Sequence, residues 1–289
     1  MFALAVFALG TIATAFATPP PEGGCEPKWK LVLSDDFSAP ALDTSKWDTC
    51  YPDGCTHGTT EAELYAPANL VFRNPGITLQ ARNAPGATLP YTSGMLFSKQ
   101  TFTYAYMEMR GTLPKGVGLW PAFWTVGGPP YAEIDTFENL GNPLKLYFTV
   151  HYLDVNRTQH PPEPYTTPDL SMRPHTFGLD WRPDRIVWYV DDQQAFFVVD
   201  RSYIPAGTLS VIANLAVGGP GSWPGPPDTQ TTFPANFDID YIRVWQQEAS
   251  CDDGNAFTAD TWDPASGCRH DGFDAGLYMG AIYQLTVAH

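Results

Sequence analysis

Positive charge is scarce in this sequence. Lys and Arg number 16 against 31 Asp and Glu, for a formal net charge of −15. A surface with that imbalance repels phosphate backbones and anionic headgroups, so nucleic acid and anionic membranes are excluded as partners. A neutral polymer fits the charge, and so does an acidic surface kept soluble outside the cell. Charged residues of either sign make up only 16%, and windows with helical periodicity are few. Beyond the N-terminus, no apolar run is long enough to cross a membrane. Paired C-x-x-C spacing is absent as well. Cys50, Cys55 and His57 lie close together but lack zinc-site spacing, and no second cluster supports them.

Charge is also missing from residues 1–17, an apolar run ending in Ala15-Phe16-Ala17 and followed by Thr18 and three prolines. The small-x-small ending predicts a secretory signal peptide, and hence a secreted, extracellular protein. The usual early Lys or Arg is lacking. A membrane anchor is the competing reading, and the run is short for one. In a secreted chain the five cysteines, Cys25, Cys50, Cys55, Cys251 and Cys268, favour disulfides. Cys50 and Cys55 bracket the turn Tyr51-Pro52-Asp53-Gly54 and predict a short loop clasp. Cys25 is left either free or competing for one of them. Asn156-Arg157-Thr158 is a glycosylation sequon, usable only in a eukaryotic secretory host.

What is abundant is proline (28), glycine (25) and apolar residues (44%). That is the texture of a turn-rich β protein with ample core. Short alternating runs recur at 29–37, 77–82, 102–110, 145–151, 175–181, 185–190, 195–199, 211–217 and 237–245, separated by turn sequences. They predict an all-β antiparallel sandwich. In 102–110, Met107 and Met109 read as core, and Tyr106, Glu108 and Arg110 as a polar, aromatic surface. Residues 154–172 read as a polar, proline-rich loop. The character changes after Gln247.

The chemistry concentrates in Tyr131 to Glu138, Y-A-E-I-D-T-F-E. Residues two apart on a strand share a face, so Glu133 and Asp135 point the same way. Glu138, five residues from Glu133, belongs to the opposite face of a regular strand. One extra residue, a bulge, brings it back. Three carboxylates on one face raise one another's pKa, which lets an acid and a base coexist at neutral pH. The alternative is an acidic, solvated edge strand. Upstream, Gly118 to Trp124 places Trp120 and Trp124 nearby, and indole faces suit the C–H faces of sugar rings.

Taken together, these pieces resemble glycoside hydrolase family 16, in its laminarinase-like branch. The resemblance runs from about Leu31 to Trp245. It rests on an ordered set: E-A-E-L-Y with Asn69, G-M-L-F-S-K, M-E-M-R-G-T-L-P-K-G, G-L-W-P-A-F-W, A-E-I-D-T-F-E, H-T-F-G-L-D-W, N-L-A-V-G-G, W-P-G-P-P-D and F-D-I-D-Y-I-R-V-W. It implies a β-jelly-roll of two antiparallel sheets with a concave substrate cleft, and retaining hydrolysis of β-1,3-glucan. By position it implies Glu133 as nucleophile, Glu138 as acid/base and Asp135 as the residue that tunes them. Substrate contacts are implied at Trp120, Trp124, Asn69, His151 and Trp223. Arg110, with Glu108, is either a cleft residue or half of a structural ion pair. No cofactor is needed for the chemistry. A structural calcium ion is implied at Asp240, whose alternative is a cap or an ion pair. The expected partner is a polysaccharide, with the chain a monomer.

The domains expected are a signal peptide at 1–17, a catalytic jelly-roll at 26–247, a short cysteine-rich repeat at 251–270 and an unassigned tail at 271–289. The repeat resembles one on secreted bacterial proteins. Phe257 and Trp262 stand where its inner cysteines would be, which implies a Cys251–Cys268 bridge. Ala132 and Thr136-Phe137 depart from the laminarinase pattern, leaving mixed-linkage glucan or a galactan such as agar as alternative substrates. Transglycosylation is open too. A non-catalytic glucan-recognition protein on this fold would lack both glutamates.

Overall fold

The computed structural model describes residues 29–58, 60–129, 131–152, 159–247, 258–263 and 267–272. The expected leader, Cys25, the sequon and Cys251 lie outside them. The described residues form an all-β sandwich with the jelly-roll architecture. One sheet has seven strands in the order Gln159–Thr166, Lys145–Tyr152, Ala132–Glu138, Leu119–Gly127, Leu209–Val217, Met95–Phe102 and Trp47–Asp48. The other has ten. Its main path runs from Gln193–Val198 through Ala105–Thr112 and Ala235–Gln247 to Glu63–Tyr65. A separate hairpin pairs Thr258–Asp263 with Gly267–Gly272.

Alternation decides which side chains fill the space between the sheets. Met107 and Met109 point inward from the ten-stranded sheet, and Ile134, Phe137, Leu146, Phe148 and Val150 from the seven-stranded one. Phe137 is the bridge between layers, its ring centroid 4.5 Å from Phe177 and 6.2 Å from Phe237. Full burial of each such ring stabilises the fold by about 2–3 kcal/mol. Trp188 also crosses the sandwich and donates its indole N–H to the backbone oxygen of Asp135 at 2.7 Å. The strand carrying the acids is thereby held from behind.

Three local expectations are corrected. Within 154–172, Gln159–Thr166 is a strand. It sits at the edge of the seven-stranded sheet, where a proline's missing N–H costs no ladder bond. One pairing is parallel, Glu63–Tyr65 against Tyr91–Ser93. Finally, Tyr106 and Glu108 are not surface residues. Both are buried, with Tyr106 packed against Trp29 and Trp245, and Glu108 accepting hydrogen bonds from Tyr106 at 3.1 Å and Tyr241 at 2.7 Å.

Candidate active site

The bulge is at Thr136. Towards one neighbour the register steps from Asp135↔Trp124 to Phe137↔Phe123, and towards the other from Asp135↔Thr149 to Glu138↔Tyr147. Ile134 and Phe137, three apart, therefore both enter the core, while Glu133, Asp135 and Glu138 line one cavity of about 320 Å³. The core requirement of Phe137 and the placement of Glu138 are one geometric fact.

Each carboxyl has a different setting. Glu133 receives a hydrogen bond from the Tyr131 hydroxyl on Oε2, and its Oε1 lies 3.6 Å from His151 Nε2. Burial lifts its pKa to about 7, against the pull of Tyr131. Asp135 is 2% exposed, and its Oδ2 lies 3.7 Å from His151 Nε2. Burial, then the charges of Glu138 and Glu133, push its pKa well up. Glu138 accepts from Trp120 Nε1 at 3.0 Å and from Thr149 Oγ1 at 3.4 Å. Burial and the charge of Glu133 raise it to about 8, with both hydrogen bonds opposing.

Trp120, Trp124 and His151 line this cavity. Trp124 is mostly buried and holds its place through a polar chain. Its Nε1 donates to Asn214 Oδ1 at 2.8 Å, and Asn214 Nδ2 donates to the Tyr65 hydroxyl at 2.8 Å. Trp223 is 45% exposed beside the cavity, packed edge-on to Trp120 at 6.2 Å and against Tyr147 at 4.7 Å.

Other expected residues are placed elsewhere. Asn69 is buried away from the cavity, and its Nδ2 donates to Gln80 O at 2.6 Å and Thr92 Oγ1 at 3.2 Å. Its amide is committed to joining backbone segments. Arg110 lies on the ten-stranded sheet and pairs with Asp240, which resolves its two readings in favour of the ion pair. Arg73 is also close to Asp240, with Nη2 3.6 Å from Oδ1, and reaches Asp238 through Nη1 at 3.6 Å. Two guanidiniums already neutralise Asp240, and a divalent cation there would meet like charge, so these residues do not fit the calcium ion.

Several cavity residues carry no sequence assignment. Tyr51 and His57 stand on its wall, 4.9 Å apart between ring centroids; Tyr51 lies inside the loop that the Cys50–Cys55 disulfide closes, and His57 follows it. Tyr131 shares the face of Glu133, two residues on, and strand period alone signals it. Glu61, from the E-A-E-L-Y motif, also lines the cavity. Burial, then the charge of Glu63, raises it to about 9.

The model of the family described as glycosyl hydrolases family 16 matches residues 59–243. A beta-glucanase of Rhodothermus marinus is 32% identical over 250 residues, spanning 76% of this chain and 86% of that protein. A glucan endo-1,3-beta-glucosidase of Cryptopygus antarcticus is 34% identical over 252 residues, 75% of this chain and 92% of the relative. Two longer relatives are matched over 35% and 38% of their lengths. Among solved structures, the laminarinase catalytic domain from Thermotoga maritima MSB8 aligns with a TM-score of 0.68 at 30% identity, covering 76% of this chain and 99% of that one.

Proposed function

The chain belongs to glycosyl hydrolase family 16, and on that premise we propose that it is a secreted endo-β-1,3-glucanase acting on laminarin-type glucan with retention of configuration. The observation that carries the mechanism is the bulge, which puts Glu133 and Glu138 on one cleft face with unlike surroundings. Glu133 attacks the anomeric carbon as Glu138 gives its proton to the departing glycosidic oxygen. The glycosyl–Glu133 ester then breaks when Glu138 takes a proton from water and the water oxygen bonds the anomeric carbon. Burial raises both carboxyls, and the charge of Glu133 raises Glu138 further, so the pair can hold a proton near neutral pH as this division requires. Asp135 shares His151 with Glu133 and biases where the proton resides. No cofactor enters these steps.

The substrate class is supported by the relatives named beta-glucanase, glucan endo-1,3-beta-glucosidase and laminarinase. Trp120, Trp223 and Tyr147 supply aromatic faces for sugar rings along the cleft. Secretion is supported by the apolar run before Thr18 and by the Cys50–Cys55 disulfide. The protein acts as a monomer on its polysaccharide.

The test is a reducing-sugar and product-size assay over laminarin, lichenan, agarose and carrageenan, with NMR of the first anomer released. Laminarin cleaved to β-configured oligosaccharides is expected. Glu133→Gln should lower turnover at least about a thousandfold while the variant stays folded by circular dichroism. Activity confined to a galactan overturns the substrate, an inverted product overturns the ester, and binding without turnover returns the chain to glucan recognition.

A further inference from the structure

Three side chains of the cleft also form a donor set suited to a cation. Glu133, Asp135 and His151 each present one ligand atom, and the three atoms lie within 4.8 Å of one another. His151 Nε2 is 3.6 Å from Glu133 Oε1 and 3.7 Å from Asp135 Oδ2. A tetrahedral zinc ion bound at about 2.0–2.1 Å separates its ligands by roughly 3.3–3.4 Å. The two distances from the imidazole are therefore near those of a formed site.

The backbone fixes this spacing. Glu133 pairs directly with His151 across the ladder, and Asp135 sits two residues along on the same face. A second, independent observation is Asp135 Oδ2 itself. It is buried in a residue only 2% exposed, has no hydrogen-bond partner among the described residues, and is the atom facing His151. A buried carboxylate oxygen without a donor calls for a cation or a proton.

The neighbours complete the arrangement. Tyr131 engages Glu133 through Oε2 and leaves Oε1 directed towards His151, as an outer-sphere partner orients a metal-binding carboxylate. One imidazole and two carboxylates suit zinc or copper(II). Calcium prefers six to eight oxygens, and magnesium keeps most of its waters. Three protein ligands leave a fourth position facing the cavity.

We propose that Glu133, Asp135 and His151 form an inhibitory site for a zinc-class divalent cation. The ion ties up Glu133 and occupies the floor where a sugar ring would sit. Binding follows from the donor geometry alone. Inhibition rests on Glu133 being the nucleophile, as read above.

Isothermal titration of the full chain with zinc chloride tests binding, with magnesium and calcium chloride as comparisons. One zinc per chain is expected, with no heat from the other two. Cobalt(II) should give the visible absorption of a four-coordinate site. His151→Ala and Asp135→Asn, each checked for folding by circular dichroism, should weaken zinc at least about tenfold. Glycosidase assays should show zinc inhibition that rising polysaccharide relieves. No binding at millimolar zinc, or binding unchanged in both variants, overturns the proposal, as does inhibition that substrate fails to relieve. Zinc held by these residues in a chain that cleaves no polysaccharide would retain the site and refute the hydrolase reading.

Discussion

Trp120 has two tasks at one point. Its ring lines the cleft, and its indole N–H donates to Glu138 Oε1 at 3.0 Å. A hydrogen bond to an ionised partner is worth about 1.5–3 kcal/mol. Trp120→Phe keeps a ring and removes the donor, so kcat should fall about tenfold to a hundredfold with a smaller change in KM, read from initial rates on laminarin. The three acids were legible in the sequence because strand period and the five-residue spacing carry geometric content. Tyr131 obeys the same period and could have been found. Tyr51 and His57 could not, since a loop's side chains gain direction only from what the loop closes against. Asn69, Glu108 and Arg110 show the complementary limit. Alternation assigns a face but not what covers it, and Glu108 proves to be buried, accepting hydrogen bonds from Tyr106 and Tyr241.

The carboxylate strand, Ala132–Glu138, joins stability to chemistry. Its bulge turns Phe137 into the core, between Phe177 and Phe237. Phe137→Ala should destabilise the protein by about 3–5 kcal/mol, visible as a lower midpoint in chemical denaturation. Activity should fall further than the folded fraction, because an emptied core position frees the bulge to shift and carries Glu138 with it. Sequence pattern located this element well and misread Gln159–Thr166. Prolines argue against a strand until its place at a sheet edge is known, and edge position is a tertiary fact.

At the scale of the molecule, buried acids dominate the response to pH. Burial raises Glu61, Glu63 and Glu108, the first to about 9. A raised carboxyl pKa means the folded state holds a proton that the unfolded chain has released. Its stabilising effect is fully present below the unfolded value, about 4.3, and is lost as pH rises through the folded value. Asp191 works oppositely. Burial raises it, but the hydrogen bond to His175 and its other partners outweigh burial and lower it, so its contribution is lost as pH falls through that lowered value. Asp191 is half-exposed and the glutamates are buried, so the glutamates should prevail. Calorimetry should find Tm highest in mildly acidic buffer and declining from about pH 5 to pH 9. A Tm that rises across that range would refute this. The sandwich class was readable from turn spacing. The order of its strands was not, because Asp238 meets Thr78 and Thr112 only after distant segments pair.

The Cys50–Cys55 bond closes the loop that carries Tyr51 to the cleft wall, where its ring packs against His57 and Trp124. The acids sit on strands that this bond does not touch. A chain made in a reducing cytosol should therefore have a competent reaction centre and a slack grip on the sugar. Dithiothreitol should raise KM about tenfold and leave kcat nearly unchanged. Two laboratories working with the same sequence, one exporting it and one not, would agree on the turnover number and disagree on the affinity.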